Sequence, residues 1–534
     1  DGMMRITVLA FLLLFQFSAF AQEDFIHGKL LDANTNEPVV FATLRLKHKA
    51  MGVITNQDGG FRFPKRFQQL DDILVISCMG YEKKEIPLSR LSPNGINTIR
   101  IKPGVLALQE TVVTAKKKRG LSARAIVKRA IAAIPQNYPK YTFSTVGYYR
   151  DYQMSNGQYV NLNEAILEVF DEGFDTVDTT DTKVMLYDYK QNNQFKRDTL
   201  ADNPYDYTNL EKIIENAYMP AHDGNEFNIL RVHDPIRNHN INSFDLINKM
   251  EEDFIKNHSF KKEQDVVLEN ELLFKIRINR IHPIAKVMGW IYISKTDYAI
   301  HKIEYSVYDR LKKIVGDVSE RKKGNLIFET TAEYNRDPEQ KMFLNYVSFY
   351  NKFRLSPPPI FTIDSIAFVP SKKGFMVYLN QKLRQNDEPE NKANYEVKFK
   401  GNALRLKKIK VYRNSFKVFQ DSLMIYLDVS MVKLSKMANE IATASASEDV
   451  LEIKIENLTD IQGNLLNEWK SLEFNQFREY FVQKVKPFAQ IPKDALFMRK
   501  NKPIFESQPL IRPKNSEEYW MNTPLVNNEW PLAA

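Results

Sequence analysis

Short alternations of apolar and polar residues recur from residue 25 onward, and their spacing predicts a mainly β chain. "FIHGKLLD" (25–32), "FATLRLKH" (41–48), "GFRFP" (60–64), "ILVISCMGY" (73–81), "KKEIPL" (83–88) and "NTIRIK" (97–102) are strand-length runs separated by turn residues. This pattern predicts a small antiparallel β-sandwich over 22–102. A linker, 103–140, follows. Within it "LSARAIVKRAIAAIPQNYP" (121–139) places Ile126, Val127, Ala130, Ile131 and Ile134 at helical spacing, with Ser122 as N-cap and Pro135 as the stop. The expected role is an ordinary amphipathic helix packed on the next domain.

Residues 141–365 carry longer amphipathic runs, among them "TFSTVGYYRDYQ", "ELLFKIRINR", "GWIYISKTDYAIHKIEYSVYD" and "KMFLNYVSFYNKF". They predict one large, curved antiparallel sheet, interrupted by two helices, "NLEKIIENAYM" (209–219) and "SFDLINKMEEDFIKN" (243–257). Shorter strands return over 366–478, at the spacing of an Ig-like β-sandwich, with "KMANEIATASASEDV" (436–450) as a polar loop. From 479 to 534, Pro487, Pro492, Pro503, Pro509, Pro513, Pro524 and Pro531 forbid a central strand or long helix. An extended arm is expected there. Its aromatic residues Phe497, Tyr519, Trp520 and Trp530 are costly to leave in water and are the candidate partner-binding anchors.

Composition narrows this picture. Apolar residues make up 43% of the chain, enough for real cores. "MMRITVLAFLLLFQFSAFAQ" has a basic residue, Arg5, a short apolar run and an A-x-A pattern, the marks of a secretory leader cut between Ala21 and Gln22. The expected location is the periplasm or the periphery of the outer membrane, with no membrane-spanning helix in the mature chain. Cys78 is the single cysteine, so no internal disulfide can form, and its apolar neighbours read it as a small buried hydrophobe. The formal net charge is +9. On an exported protein this suits anionic lipid or polysaccharide, and nucleic acid is not an expected partner.

The Asn/Asp/Gly stretch "GVITNQDGGFRFP" (52–64) raises the question of a metal or phosphate loop. An EF-hand-type calcium loop closes on a bidentate Glu, and the corresponding position here is Lys65. A phosphate loop needs a Lys-Ser/Thr pair and a following helix, and here a strand follows. Hairpin chemistry remains: Asp58-Gly59 supplies a positive φ, and Phe61 and Phe63 share one strand face.

These residues also carry a family resemblance. Gly28, Asp32, Pro38 and Ala42, then Thr55, Asp58, Gly59 and Phe61, then Ser77, Gly80 and Tyr81 resemble the carboxypeptidase-regulatory-like domain. The resemblance implies a transthyretin-like β-sandwich, in which Asp58, Gly59, Phe61, Gly80 and Tyr81 are structural turn residues. "LQETVVTAKK" (108–117) is similar to the segment that joins this domain to the plug in TonB-dependent transporters of Bacteroidetes. An envelope protein of that bacterial group is implied. The rest of the chain is too short for a plug and a barrel of about 22 strands. Zinc carboxypeptidase chemistry is disfavoured as well. The one His-x-x-Glu pair, His301 and Glu304, lies in a strand-like run that puts the two on opposite faces, and no histidine follows to complete a ligand set.

No catalytic residues, metal ligands or cofactor are assigned. The expected function is a non-enzymatic binding or assembly component of the envelope, partnered by a TonB-dependent-type transporter or another envelope complex, or by lipid or polysaccharide. One rival is a periplasmic lipid or peptide carrier using the curved sheet, to which "GWIYISKTDYAIHKIEY" bears a resemblance. The other is a hydrolase acting on glycan or peptide.

Overall fold

The structure is a computed structural model that describes residues 25–525 except 48, 50, 71, 105–119, 156–157, 179–181, 203–212, 215–224, 241–253, 269–270, 312–324, 356, 385–387, 414–419, 444–449 and 471. The leader with Ala21 and Gln22, the segment 108–117, most of both helices expected in 209–257, and Trp530 therefore lie outside the described residues. The chain forms two units, residues 1–354 with 473–534, and residues 355–472.

The first unit begins with seven short strands: β1 (Phe25–Asp32), β2 (Thr43–Leu46), β3 (Gly52–Ile54), β4 (Gly60–Pro64), β5 (Ile73–Ser77), β6 (Lys84–Pro87) and β7 (Ile96–Ile101). They make a sandwich of two sheets, β4-β1-β7 and β3-β2-β5-β6. The β1–β7 pair is parallel, so the sandwich is not wholly antiparallel as its spacing suggested. Strict alternation in β1 turns Ile26, Gly28, Leu30 and Asp32 inward. Gly28 is needed there because a Cβ would stand 2.1 Å from the Phe61 ring.

Eleven further strands follow: β8 (Phe143–Ser155), β9 (Gln158–Asp171), β10 (Lys183–Gln191), β11 (Ile213–Ile214), β12 (Ser259–Lys262), β13 (Val266–Leu268), β14 (Glu271–Ile281), β15 (Ala285–Ser294), β16 (Ile300–Asp309), β17 (Leu326–Arg336) and β18 (Met342–Leu355). β11 lies inside the expected helix 209–219. It pairs instead with β18, because its two isoleucines suit a pleated edge.

The second unit holds β19 (Ile363–Val369), β20 (Gly374–Leu379), β21 (Tyr395–Phe399), β22 (Asn402–Ala403), β23 (Leu406–Arg413), β24 (Asp421–Leu427) and β25 (Leu451–Ile455). Its sheets, β19-β20-β24-β23 and β22-β21-β25, enclose one apolar core around Phe375, Val377, Leu423 and Ile425. The expected polar loop at 436–450 begins as part of a helix, Met431–Thr443. Leu434 and Met437, one turn apart, are buried under it.

The largest departure concerns β26 (Leu472–Lys486). The sequence pattern assigned its first half to the C-terminal sandwich. It lies instead in the middle of the large sheet, whose order is β10-β9-β8-β26-β18-β17-β16-β15-β14-β12. Its register against β8 runs from Asn475–Met154 to Lys486–Ser144. The reason is burial on both faces: Arg478, Tyr480 and Val482 point one way and Glu479, Phe481 and Gln483 the other, and all six are buried. A sandwich strand with one wet face could not bury all six.

One face of the large sheet is filled by helical segments. α1 (Ala123–Ala132) has Ser122 as its N-cap, and buries Ile126, Val127, Ala130 and Ile131. α2 (Glu226–Val232) sets Phe227 edge-on against Tyr149 and Tyr480. Beside it Arg231 and Arg237 bind Asp171 at 2.6 and 2.8 Å, and Arg231 also binds Asp178 at 2.7 Å. The opposite face receives the sandwich. There Arg150 Nε donates to Glu479 Oε2 at 2.5 Å, and its Nη1 donates to Asn56 Oδ1 at 2.6 Å. Tyr152 and Gln57 both donate to Glu479 Oε1. Both ends of the ion pair are fully buried.

Removing one member of such a pair strands the other in a low-dielectric interior. Arg150→Met is expected to destabilise the first unit by about 3–5 kcal/mol in urea unfolding. Adding Glu479→Leu should restore part of that loss. A coupling of roughly 1–3 kcal/mol in the double-mutant cycle is expected, and strict additivity would contradict the assignment.

Candidate binding cleft

The loop 52–64 is a turn. Gly59 has φ +75°, Gly60 N–H donates to Asp58 Oδ1 at 3.0 Å, and Gly59 N–H donates to Asn56 O at 2.9 Å. Asp58 thus spends a carboxylate oxygen on the turn itself. Thr55 Oγ1 accepts from Ala42 N–H at 2.8 Å and donates to Val39 O at 2.6 Å, pinning the loop's entry. Asp32 accepts from the amides of Asn34 and Thr35 and from the Tyr81 hydroxyl at 2.9 Å. These bonds, the two amides first, hold its carboxyl below the usual range. The loop does one thing beyond turning, since Asn56 and Gln57 at its tip are the groups that reach Arg150 and Glu479.

The second signature turn, Gly80-Tyr81, borders a cleft of about 820 Å³. Gly80 has φ +83°, and Tyr81 N–H closes the turn on Cys78 O at 3.0 Å. This wall continues through Glu82, Lys83 and Gly104. The facing wall comes from the far wing of the large sheet: Glu263, Asp265, Val266, Val267, Lys275, Arg277 and Trp290. β14 and β15 place Lys275, Arg277 and Trp290 by alternation. Val287 and Ile291 are buried while Trp290 is half-buried, and Ile276 and Ile278 are buried while Lys275 and Arg277 are half-buried.

Charges of both signs line the cleft, and several are already matched. Arg277 lies 3.3 Å from Glu263, and Lys295 lies 2.5 Å from Asp265. Lys275 sits over two rings, 5.5 Å from the centroid of Trp290 and 5.7 Å from that of Tyr292. The site thus offers a partly open indole shelf with hydrogen-bonding charges around it, suited to an elongated polar ligand with one flat apolar face. The sequence reading passed over Trp290. The signal was present in Met288-x-Trp290-x-Tyr292, which faces away from the apolar Val287-x-Gly289-x-Ile291 set.

Three of the expected partner-binding aromatics are engaged within the chain. Trp520 is 2% exposed, packs on Phe63 and Phe67 with centroids 5.3 and 5.6 Å away, and donates from Nε1 to Arg62 O at 2.9 Å. Tyr519 is 5% exposed and lies beside Tyr187. Phe497 is half-buried, edge-on to Phe170. The arm is a strap: after β26 it runs along β10, where Met498 and Ile511 donate to Val184 O and Leu186 O. It covers the edge that β10 would otherwise leave open. Exposed anchors for a partner are therefore not found at Phe497, Tyr519 or Trp520.

His301 and Glu304 do fall on opposite faces. His301 Nε2 lies 3.1 Å from Glu271, whereas Glu304 pairs with Lys302 at 2.8 Å. Burial, and then the Glu226 carboxylate, push the Asp151 carboxyl up to about 7. It accepts from Asn163 and Tyr149 at 2.9 and 3.0 Å. Ile504 and Phe505 of the arm help bound the space beside it, about 10 Å³, room for one water at most. Cys78 is packed against the sheet, and burial pushes its thiol up to about 12.

The CarboxypepD_reg-like domain family matches residues 26–113, so the chain carries such a domain. The chain is also 37% identical over 71 residues to the TonB-dependent receptor SusC of Bacteroides thetaiotaomicron. That stretch is 13% of this chain and 7% of the receptor, so the chain spans only a small part of that relative's length. Among solved structures, a LolA superfamily protein from Nitrosomonas europaea aligns at 10% identity over 43% of this chain and 86% of its own, with a TM-score of 0.20. A putative outer membrane lipoprotein-sorting protein domain from Vibrio parahaemolyticus aligns at 11% identity over 42% and 84%, with a TM-score of 0.22. Scores this low carry no argument.

Two outcomes follow from the buried titrating groups. A carboxyl near 3.9 when unfolded and about 7 when folded binds its proton more tightly in the native state, so its effect is to lower stability as pH rises from 4 to 7. Asp151→Asn should therefore raise the melting temperature at pH 8 and raise it distinctly less at pH 5. Equal shifts at both pH values would refute the assignment. The Cys78 thiol should resist iodoacetamide at pH 8 in the folded protein and react once urea unfolds it.

Proposed function

We propose that the protein is a non-enzymatic, exported binding component of the bacterial cell envelope, with its ligand or partner seated in the cleft beside Trp290. The observation that carries this reading is the construction of the cleft. One wall is the Gly80-Tyr81 turn of the CarboxypepD_reg-like domain, and the other is the far wing of the large sheet. The buried Arg150–Glu479–Asn56 contacts lock these bodies together, so the gap between them is preformed and costs little ordering to fill. The stretch shared with SusC supports an envelope setting and a partner of the TonB-dependent transporter type. No helix among the described residues is long and apolar enough to cross a membrane.

The rivals find less support. The helix-covered face, where a carrier would hold an acyl chain, is occupied by Tyr149, Phe227, Tyr480 and Phe349 and by the Arg231/Arg237–Asp171/Asp178 cluster. For a hydrolase, Asp151, the carboxyl pushed up to about 7, is enclosed under the arm.

The test is cross-linking of the tagged full-length protein in intact envelopes, followed by affinity purification and mass spectrometry. Wild type should bring down an outer-membrane complex. Trp290→Ala should weaken that recovery, re-measured with the purified partner, by about 2 kcal/mol, roughly thirtyfold, as expected for a central aromatic anchor. Its melting temperature should barely change, since the indole is half-exposed. Recovery of wild type solely as a free soluble monomer would overturn the reading.

A further inference from the structure

The second unit has an outer sheet face that neither the domain family nor the cleft accounts for. In β23, "LKKIKVYR" (406–413) buries Ile409 and turns Lys408, Lys410 and Tyr412 outward. The register sets Lys408 opposite Tyr426, Lys410 opposite Met424 and Tyr412 opposite Ser422. β20 extends the rows with Met376 beside Met424 and Tyr378 beside Ser422. Lys372 and Lys410 lie 5.7 and 5.0 Å from the Tyr412 ring, Lys408 lies 4.9 Å from the Tyr426 ring, and the two hydroxyls are 3.2 Å apart.

Three exposed ammonium groups thus surround a pair of tyrosines, and among the described residues none of the three is paired with a carboxylate. The other sheet of the same unit behaves differently. There Lys398 pairs with Glu396 and Glu452, Lys400 with Glu440, and Lys454 with Glu456. Like charges crowded on one sheet face are unfavourable unless an anion offsets them. Apolar groups adjoin the cluster: Tyr378 is 46% exposed, and Met376 beside it is half-buried on the same face.

We propose that this face docks on the anionic phospholipid headgroups of a membrane surface. The choice of side chains supports lipid over a soluble acidic polymer. Lysines are hydrated point charges that act through a surface potential and need no bidentate fit. The exposed Tyr378 and the Met376 beside it suit the headgroup–acyl boundary and would gain nothing from a hydrophilic polyanion. The three lysines carry the same sign as the chain's formal net charge of +9.

The full-length protein would be sedimented with vesicles of phosphatidylcholine containing one part in four phosphatidylglycerol, and with phosphatidylcholine alone. Binding to the anionic vesicles alone, released by high salt, is expected. The variant K372Q/K408Q/K410Q should bind on the order of a hundredfold more weakly, since each lysine near an anionic surface contributes about fivefold. K398Q/K454Q, which removes paired lysines, should bind like wild type, and both variants should keep the wild-type melting temperature. Trp290→Ala should also bind vesicles normally, so failure of this inference and failure of the cleft reading are distinguishable. Equal binding to both vesicle types, no loss in the triple variant, or capture by a soluble polyuronate without vesicle binding would each overturn it.

Discussion

The ion pair between Arg150 and Glu479 holds the first unit together. It links the first and last strands of the central part of the large sheet. Asn56 and Gln57 of the small sandwich bond to its two ends, while Arg150 Nη2 is buried with no hydrogen-bond partner among the described residues. Asn522 of the arm donates to the same Asn56 oxygen at 3.2 Å. Four segments far apart in sequence therefore converge on one buried pair of charges. A pair of this kind contributes little net stability against a hydrophobic replacement. Its geometric demand is strict, however, because each polar atom needs its partner, and few alternative dockings of the sandwich satisfy them.

The position of β26 has a related consequence. The large sheet is completed by the last regular strand of the chain, inserted between β8 and β18, with the whole second unit lying between β18 and β26 in sequence. Without β26, β8 and β18 would each expose an unpaired edge. Once it is in place the arm can strap along β10 and deliver Trp520 to the sandwich core. Fixing the sandwich against the sheet is also what leaves the cleft: the two meet at Asn56, at Thr43 and Arg45 against Asn345, and at Met79, and the cleft lies between Gly80-Tyr81 and Trp290.

Charge is distributed unevenly, and the pattern separates structural from available groups. In the interior, Arg231, Arg237 and Arg478 are each matched by a carboxylate. At the cleft, Arg277 and Lys295 are matched while Lys275 rests on aromatic rings. On the β23–β24 face of the second unit, the lysines flank tyrosines with no acid among the described residues. Of the three places, the last is where lysines stand without a carboxylate partner among the described residues.

Much of the fold was legible from the residues alone. Alternation predicted the β class, the sandwich over 22–102, the long strands after 141, and the burial of Ile126, Val127, Ala130, Ile131 and Ile134, because strand and helix periods are local properties of the chain. The turn role of Asp58 and Gly59 was legible for the same reason, since positive φ and short-range hydrogen bonds are settled within a few residues, whereas that of Gly80 and Tyr81 was implied only by the family resemblance. Partnership was not. Whether "LEFNQFREYFVQ" joins the nearer sandwich or the distant sheet depends on which neighbours can bury both its faces, and only long-range packing supplies those. The aromatic residues of the arm announced that they would be buried without saying against what, and Tyr519 and Trp520 found their own chain. Trp290 and Lys275 became a site only when the folded sandwich put Gly80 and Tyr81 across from them, since a cleft belongs to two surfaces and a single stretch of sequence describes one.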